Sequence, residues 1–470
     1  MSIAAQPVSK THNSLTMALV IGCVGSIFLL AGLLRALGVS LITPAIVIGG
    51  AALLWLAFRY PVGSLGGVLA FMPIFPVAFL LAKLIGPPYV GRLEGCDRVV
   101  LLVLVIILWL RNGIRLSPPD WFLIACFGLA VLRFTFGGIL INFLADFSFI
   151  IPYAAGRMLV LTADQERAWA TRAVWIVGIL SVLGMIEVFI LGPGPRAVLF
   201  STYQTSFVMD GTLSGAYYVS SYGGLRESST MISPPYFGLL CMVGLIIWWV
   251  YRRSLVPACM IAAGLILTIT RSAWLNTVMA IAVVAVVMGQ KKRFLQYATP
   301  ALALAVASIG LLGLGDFVSR TIGRDEPMAE GHKDMLVEGW EYVSSHPLGA
   351  GPGNYDRPAG AAHDISNTSN APYIESTYLS LAAAYGALDF LFFLGFLLTA
   401  FRTSSSLNTQ LGYAAVGILV GFGGAMVVAP IVGEFSLASW IWFPVGLAVR
   451  SAVNSSGSLK STMTNRFAQA

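Results

Sequence analysis

Ten of the chain's 21 acidic residues and three of its four histidines fall in one polar stretch, Asp316 to Glu375. The acids are Asp316, Asp325, Glu326, Glu330, Asp334, Glu338, Glu341, Asp356, Asp364 and Glu375; the histidines are His332, His346 and His363. Carboxylates and imidazoles are the side chains that move protons in catalysis. The same stretch contains His346-Pro347-Leu348-Gly349-Ala350-Gly351-Pro352-Gly353-Asn354-Tyr355. Its glycines and prolines predict a tight turn with exposed N–H groups, which either hold anionic oxygens or simply turn the chain. No Lys-Ser/Thr pair follows, so it is not a Walker loop. Arginines add a second kind of chemistry. Arg133 and Arg157 lie within apolar runs, and Arg271 lies where two runs meet. A charge there marks a polar pathway or a site, unless it snorkels to the headgroups. Arg226 closes a Ser-, Thr-, Tyr- and Gly-rich segment just before Pro234-Pro235. Such a surface suits hydroxyl-bearing ligands such as sugars, although many extracellular loops share it.

These residues need a scaffold, and composition says which. The chain is 57% hydrophobic and 10% charged, with a mean hydropathy of +0.83. Soluble domains carry about 25% charged residues. This is the composition of an all-α, polytopic transmembrane helix bundle. The net charge of +7 does not point to nucleic acid, because the basic residues punctuate apolar runs as topology signals do. The five cysteines, Cys23, Cys96, Cys126, Cys241 and Cys259, show no CxxC or Cys/His spacing. Neither a disulfide framework nor a metal site is expected.

A bilayer crossing takes about 20 apolar residues. Spans are predicted near 16–34, 38–58, 62–84, 97–110, 120–142, 172–192, 235–251, 254–270, 272–289, 296–314, 375–400, 409–431 and 436–451. A weaker one at 143–162 carries Asp146, Pro152 and Arg157. The expected total is about 12–14. Counting the weak segment as a crossing puts every basic cluster on one side: Arg59, Arg111 with Arg115, Arg167 with Arg172, Arg252-Arg253, Lys291-Lys292-Arg293 and Arg402. By the positive-inside rule that side is the cytoplasm, and both termini lie there. The organisation read from this is a cytoplasmic tail at 1–15, membrane helices at 16–192, and a first periplasmic loop at 193–234. Central helices follow at 235–314, a large periplasmic loop with short helices at 315–374, C-terminal helices at 375–451, and a tail at 452–470. Within the large loop, 328–344 predicts an amphipathic helix, with Met335, Leu336, Trp340, Tyr342 and Val343 on its apolar side.

Four pieces in this order resemble the O-antigen ligase and O-antigen/exopolysaccharide polymerase superfamily of bacterial inner-membrane proteins. They are Arg226-Glu-Ser-Ser-Thr-Met-Ile-Ser-Pro-Pro-Tyr-Phe-Gly, Thr270-Arg271-Ser272-Ala273-Trp274, Trp340 with the His346–Tyr355 turn, and Glu375-Ser376-Thr377-Tyr378-Leu379 with Ala383, Tyr385 and Gly386. The resemblance covers roughly residues 150–450. It implies a C-type glycosyltransferase that takes a glycan from a polyprenyl-diphosphate carrier at the periplasmic face, with neither metal nor cofactor. Ligases pass the glycan to lipid A–core, and polymerases to another carrier-linked repeat unit. Where ligases show His-Asn, this chain has Glu375-Ser376, which favours a polymerase.

The implied reaction needs a base for the acceptor hydroxyl and a counter-charge for the leaving diphosphate. Glu375 is the first candidate base, with helix capping as its alternative role. His346 and His363 are the others. Arg157, Arg226 and Arg271 are the candidate diphosphate clamp, since guanidinium grips phosphate with paired hydrogen bonds. Gly349, Gly351, Gly353 and Tyr355 would shape the turn. The expected partners are the carrier-linked glycan, the bilayer and a chain-length regulator or export complex. A flippase or exporter of lipid-linked sugar is the rival reading. It is disfavoured by the lack of a clear internal repeat.

Overall fold

A computed structural model describes residues 52, 55–56, 58–77, 96–192, 208–209, 212–213, 229–231, 233–252, 254–296, 327–353, 374, 376–429, 431 and 433–468. Apart from a two-residue antiparallel ladder, β1 (Val208–Met209) with β2 (Thr212–Leu213), the regular structure among these residues is helical. In chain order the helices are α1 (Pro61–Phe71), α2 (Cys96–Asn112), α3 (Pro118–Thr135), α4 (Leu140–Phe147), α5 (Ile150–Met158) and α6 (Ala163–Ile186). Then come α7 (Pro234–Tyr251), α8 (Leu255–Leu267), α9 (Arg271–Val287), α10 (Pro327–Ser345), α11 (Thr377–Tyr385), α12 (Ala387–Ser405), α13 (Gln410–Ala425) and α14 (Phe435–Ala468).

The protein is a membrane protein. Among the described residues, four segments are long and apolar enough to cross a bilayer: Ala163–Leu191, Pro234–Tyr251, Ala387–Ser405 and Phe435–Ser455. Pro61–Val77, Leu255–Leu267, Arg271–Val287 and Gln410–Ala425 are shorter apolar helices. The expected span at 16–34, and that at 296–314 beyond its first residue, lie outside the described residues.

A helix that is apolar all round must be surrounded. Helix α7 is such a helix: it is buried on nearly every side chain and touches α6, α8, α9, α13 and α14. The first half of α14 is similarly enclosed, with Trp442 at the centre of an aromatic cluster. Its ring lies 5.0 Å from Phe149 and 5.3 Å from Phe396.

Helices in a bilayer gain little from excluding water between themselves, so they depend on close backbone approach through small residues. Helices α5 and α14 cross at Gly156 and Gly446. A Cβ at Gly156 would meet the Phe443 carbonyl, and one at Gly446 would meet that of Tyr153. Helix α13 runs antiparallel to α9 along a glycine edge. Gly417 faces Val284, Gly421 faces Ala280, and Gly424 faces Asn276.

Two of the expected spans are interrupted. The weak segment forms α4 and α5, parted at Ser148–Phe149. Pro152 has no N–H to give the carbonyl of residue 148, so the helix restarts at Ile150. The pair covers about 28 Å and runs from one end of the bundle to the other. At the start, Ile139 N–H bonds the Pro352 carbonyl at 2.7 Å. At the finish, Asn112 Nδ2 donates to the Met158 carbonyl at 2.7 Å. The stretch expected as one span at 375–400 is two helices, α11 and α12, parted at Gly386 with φ of 98°.

Replacing Gly446 by Ala should lower thermal stability, because the α5–α14 contact must open. Overpacking of this kind costs about 1–3 kcal/mol. Melting of the purified variant against wild type measures it, and Ala at Gly128, which has open space around it, is the control.

Candidate active site

The site is best built from the break at Gly386. The last carbonyls of α11 and the first N–H groups of α12 have no helical partner there. The turn after α10 supplies partners. Ala350 N–H bonds the Ala383 carbonyl at 2.7 Å, and Gly351 N–H bonds that of Ala384 at 2.9 Å. Ala387 N–H bonds the Pro347 carbonyl at 3.0 Å. Arg133, near the C-terminus of α3, then clasps the Gly349 carbonyl with Nε at 3.0 Å and Nη2 at 2.7 Å. The approach is backbone to backbone: a Cβ at Gly349 would lie 2.6 Å from the Ala384 carbonyl oxygen and from Gly386 N. With φ of +79° as well, this position requires glycine.

This bears on two readings that the sequence left open. The N–H groups of Gly349, Ala350 and Gly351 bond carbonyls of the protein, so this part of the turn is a plug in a broken helix and not an anion cradle. Arg133 holds the turn rather than reaching for headgroups. Tyr355 lies outside the described residues.

The break is tied to the other broken helix. Tyr385, the last residue of α11, donates its hydroxyl to Asp146 Oδ2 on α4 at 2.8 Å. Cys126 Sγ donates to Asp389 Oδ2, in the first turn of α12, at 3.4 Å. Both carboxylates are buried.

The N-terminus of α11 is pinned as firmly. Ser376 is its N-cap residue, with Oγ accepting from Leu379 N–H at 3.5 Å. Thr377 N–H bonds the Met426 carbonyl at 2.9 Å, its hydroxyl donates to Ala429 at 2.7 Å, and that hydroxyl accepts from Ile431 N–H at 3.0 Å. Ile374 is fully buried. Glu375 itself lies outside the described residues, as do Arg226 and His363. The capping role left open for Glu375 is filled by Ser376.

Arg271 is at the same end. It is the first residue of α9, exposed, and the antiparallel α9–α13 pairing carries it toward the C-terminal end of α13 that Thr377 bonds. Ser229–Ser233, just after Arg226, also reaches this end. Ser229 Oγ donates to the Leu180 carbonyl at 2.6 Å, and Ser233 precedes α7, whose Gly238 packs on Thr268 and Ala273. His346 is exposed. Its ring stacks on Tyr342 at 4.4 Å, with Nδ1 3.0 Å from Ser345 Oγ. Helix α10 covers the expected 328–344 with one more residue at each end. Gly339 and Val343 face α11, while Val337 and Trp340 stay exposed.

Arg157 is not there. It is wholly buried and paired with Asp120, Nη2 to Oδ2 at 2.6 Å and Nε to Oδ1 at 2.9 Å. It also donates to the Arg115 carbonyl at 2.7 Å, and Tyr153 completes the knot by donating to Asp120 at 2.9 Å. Asp120 and Arg133 stand at opposite ends of α3, about 20 Å apart along its axis. Arg157 therefore faces the basic end of the bundle, and the three-arginine clamp loses one member. Its job is to satisfy a buried carboxylate, where removing either partner would strand a charge.

One carboxylate at the candidate end escaped the sequence reading. Glu434 lies three residues beyond Ile431, in the connection to α14, and its N–H bonds the Ile431 carbonyl at 3.4 Å. Burial pushes its carboxyl up to about 7; Arg98 pulls it down and Asp97 adds to the rise. Arg98 itself lies 5.6 Å over the Phe435 ring. The available signal was a lone acid between two apolar runs. Among the described residues no His, Cys, Asp and Glu cluster has the makings of a metal site.

Residues 256–394 match the O-antigen ligase family, Wzy_C. The match bears out the resemblance drawn from the motifs. It runs from α8 into α12 and so contains Arg271, the plugging turn and the α11 N-terminus; the Arg226 piece lies outside it. No curated protein matches the chain. The family is one of glycan transferases acting on lipid-linked glycans.

Glu434 gives this end a pH signature. Its folded pKa of about 7 exceeds the ordinary 4.5. The folded protein thus keeps a proton that the unfolded chain releases, and stability should fall as pH rises from about 4.5 through 7. Melting temperature against pH should show this decline, and Glu434→Gln should flatten it. An unchanged slope in the variant would assign the decline elsewhere.

Proposed function

We propose that the protein is a polysaccharide polymerase of the inner membrane. It transfers a glycan from a polyprenyl-diphosphate carrier to the acceptor sugar of another lipid-linked unit at the periplasmic face. The observation that carries this reading is the convergence of Arg271, the His346–Gly353 turn and the Ser376–Thr377 helix start at one end of the bundle, opposite the basic end. By the positive-inside rule the basic end is cytoplasmic, which leaves the convergent end, like both large loops, on the outside.

In this reading Glu375 takes the proton from the acceptor hydroxyl as its oxygen attacks the anomeric carbon. The glycosidic bond to the carrier breaks, and the carrier leaves as its diphosphate. Arg271 and Arg226 hold that diphosphate, and their charge persists at any working pH. The capping assignment of Ser376 supports a chemical role for Glu375, since the helix start is already satisfied. His346 and His363 remain alternative bases; the stack on Tyr342 gives His346 a structural duty. No metal or cofactor enters the proposed reaction. A chain-length regulator or export complex is the proposed protein partner.

The family's own description as O-antigen ligase favours a second reading, in which the acceptor is lipid A–core. Glu375-Ser376, in place of the ligase His-Asn, favours the polymerase.

The test uses a deletion strain complemented with wild type, Glu375→Gln or Arg271→Ala, with carrier-linked glycans resolved by size. Wild type should give a ladder. Each variant should stall at one repeat unit, with the loss of a general base costing about 10²–10⁴-fold in rate. Glycan appearing on lipid A–core without a ladder would make the protein a ligase. Single units held on the cytoplasmic face would make it a flippase.

A further inference from the structure

A cavity of about 950 Å³ opens at the basic end, far from the candidate active site, between α1, α2, α6 and α14. Its inner wall is apolar, made by Leu69, Leu108, Ile176, Trp440 and Phe443. Its polar lining is Arg111 at the end of α2, whose Nη2 also donates to the Phe58 carbonyl, Asp164 and Gln165 in the first turn of α6, and Arg172 about 12 Å further along that helix. Within that wall the Trp440 Nε1–H is satisfied by the Leu69 carbonyl at 3.0 Å. Along α6 the cavity runs from Asp164 to Ile176, about 18 Å. Half of a bilayer's hydrocarbon core is about 15 Å. The slot therefore has about the depth of one leaflet, and its charged lining is two guanidinium groups against one carboxylate.

We propose that this slot binds an anionic phospholipid of the leaflet at the basic end, with an acyl chain lying along α6 and the phosphate between Arg111 and Arg172. The apolar wall matches a hydrocarbon chain. Guanidinium matches a phosphate in both charge and geometry. A zwitterionic lipid of the same chains fills the slot equally well but lacks the net charge that the charged lining favours. The site is separate from glycan transfer, so its test reads lipid binding and not turnover.

Native mass spectrometry of the full-length protein, titrated with dioleoyl phosphatidylglycerol, dioleoyl phosphatidylcholine or inorganic phosphate, measures it. Wild type should retain the glycerol lipid in preference to the choline lipid by about tenfold, since each basic residue near a headgroup contributes about 1 kcal/mol. The Arg111→Gln/Arg172→Gln double variant should lose that preference. Ala168→Phe fills the slot while keeping both arginines, and should lower retention of both lipids. Circular dichroism of each variant confirms its helix content, and Arg172→Gln alone replaces the double variant if that does not fold. Three results would overturn the proposal: equal retention of the two lipids by wild type, displacement of the lipid by inorganic phosphate, or unchanged retention in Ala168→Phe.

Discussion

A helix interrupted inside a bilayer leaves carbonyls and amides that neither water nor lipid can satisfy. In this protein the interruption at Gly386 is met by a second piece of backbone. The Pro347–Gly351 turn brings the acceptor and donors that α11 and α12 lack, and Arg133 fixes its outer carbonyl. The constraint explains the local sequence. Only glycine fits at position 349, where two backbones meet at positive φ. It also explains why the turn after α10 is held against the bundle: it completes the broken helix that follows.

The two broken helices depend on each other. Tyr385 at one break donates to Asp146 near the other, and α5 then continues to the opposite end, where Arg157 closes on Asp120. Buried charges are costly unless paired and hydrogen-bonded. Each ionisable group on this path has a named partner. The bundle thus carries a polar knot at each end of the α4–α5 pair, with the aromatic contacts of Phe149, Phe396 and Trp442 between them. One end holds the plugged break, Arg271 and the start of α11, and the other carries the basic residues and the cavity between α1, α2, α6 and α14.

Much of this was legible in sequence. Hydropathy gave the class, and the basic clusters argued for a crossing at the weak 143–162 segment, where the structure has the two short helices α4 and α5. The amphipathic pattern located α10 almost to the residue. What failed has a common physical cause. Hydropathy windows average over a break, so 375–400 read as one helix although Gly386 stood in plain view. Arg157 read as a ligand group because its partner, Asp120, lies 37 residues away, and sequence separation says nothing of pairing across a bundle. Glycines 349 and 351 signalled a turn correctly, but only the fold shows that their N–H groups meet the carbonyls of His346 and of Ala384 in α11. Glu434 was overlooked because a single acid in a short connection carries no pattern.

The proposed function requires that the end bearing the turn and the α11 start face the periplasm and the basic end face the cytoplasm. Single cysteines at Leu348 and at Ser405, in a background with Cys23, Cys96, Cys126, Cys241 and Cys259 replaced, test this directly. Leu348 is 82% exposed beside the plug, and Ser405 closes α12 at the other end. A membrane-impermeant maleimide applied to cells with a permeabilised outer membrane should label Leu348→Cys at once and Ser405→Cys only after lysis. The reverse pattern would place the convergent motifs in the cytoplasm and contradict the account.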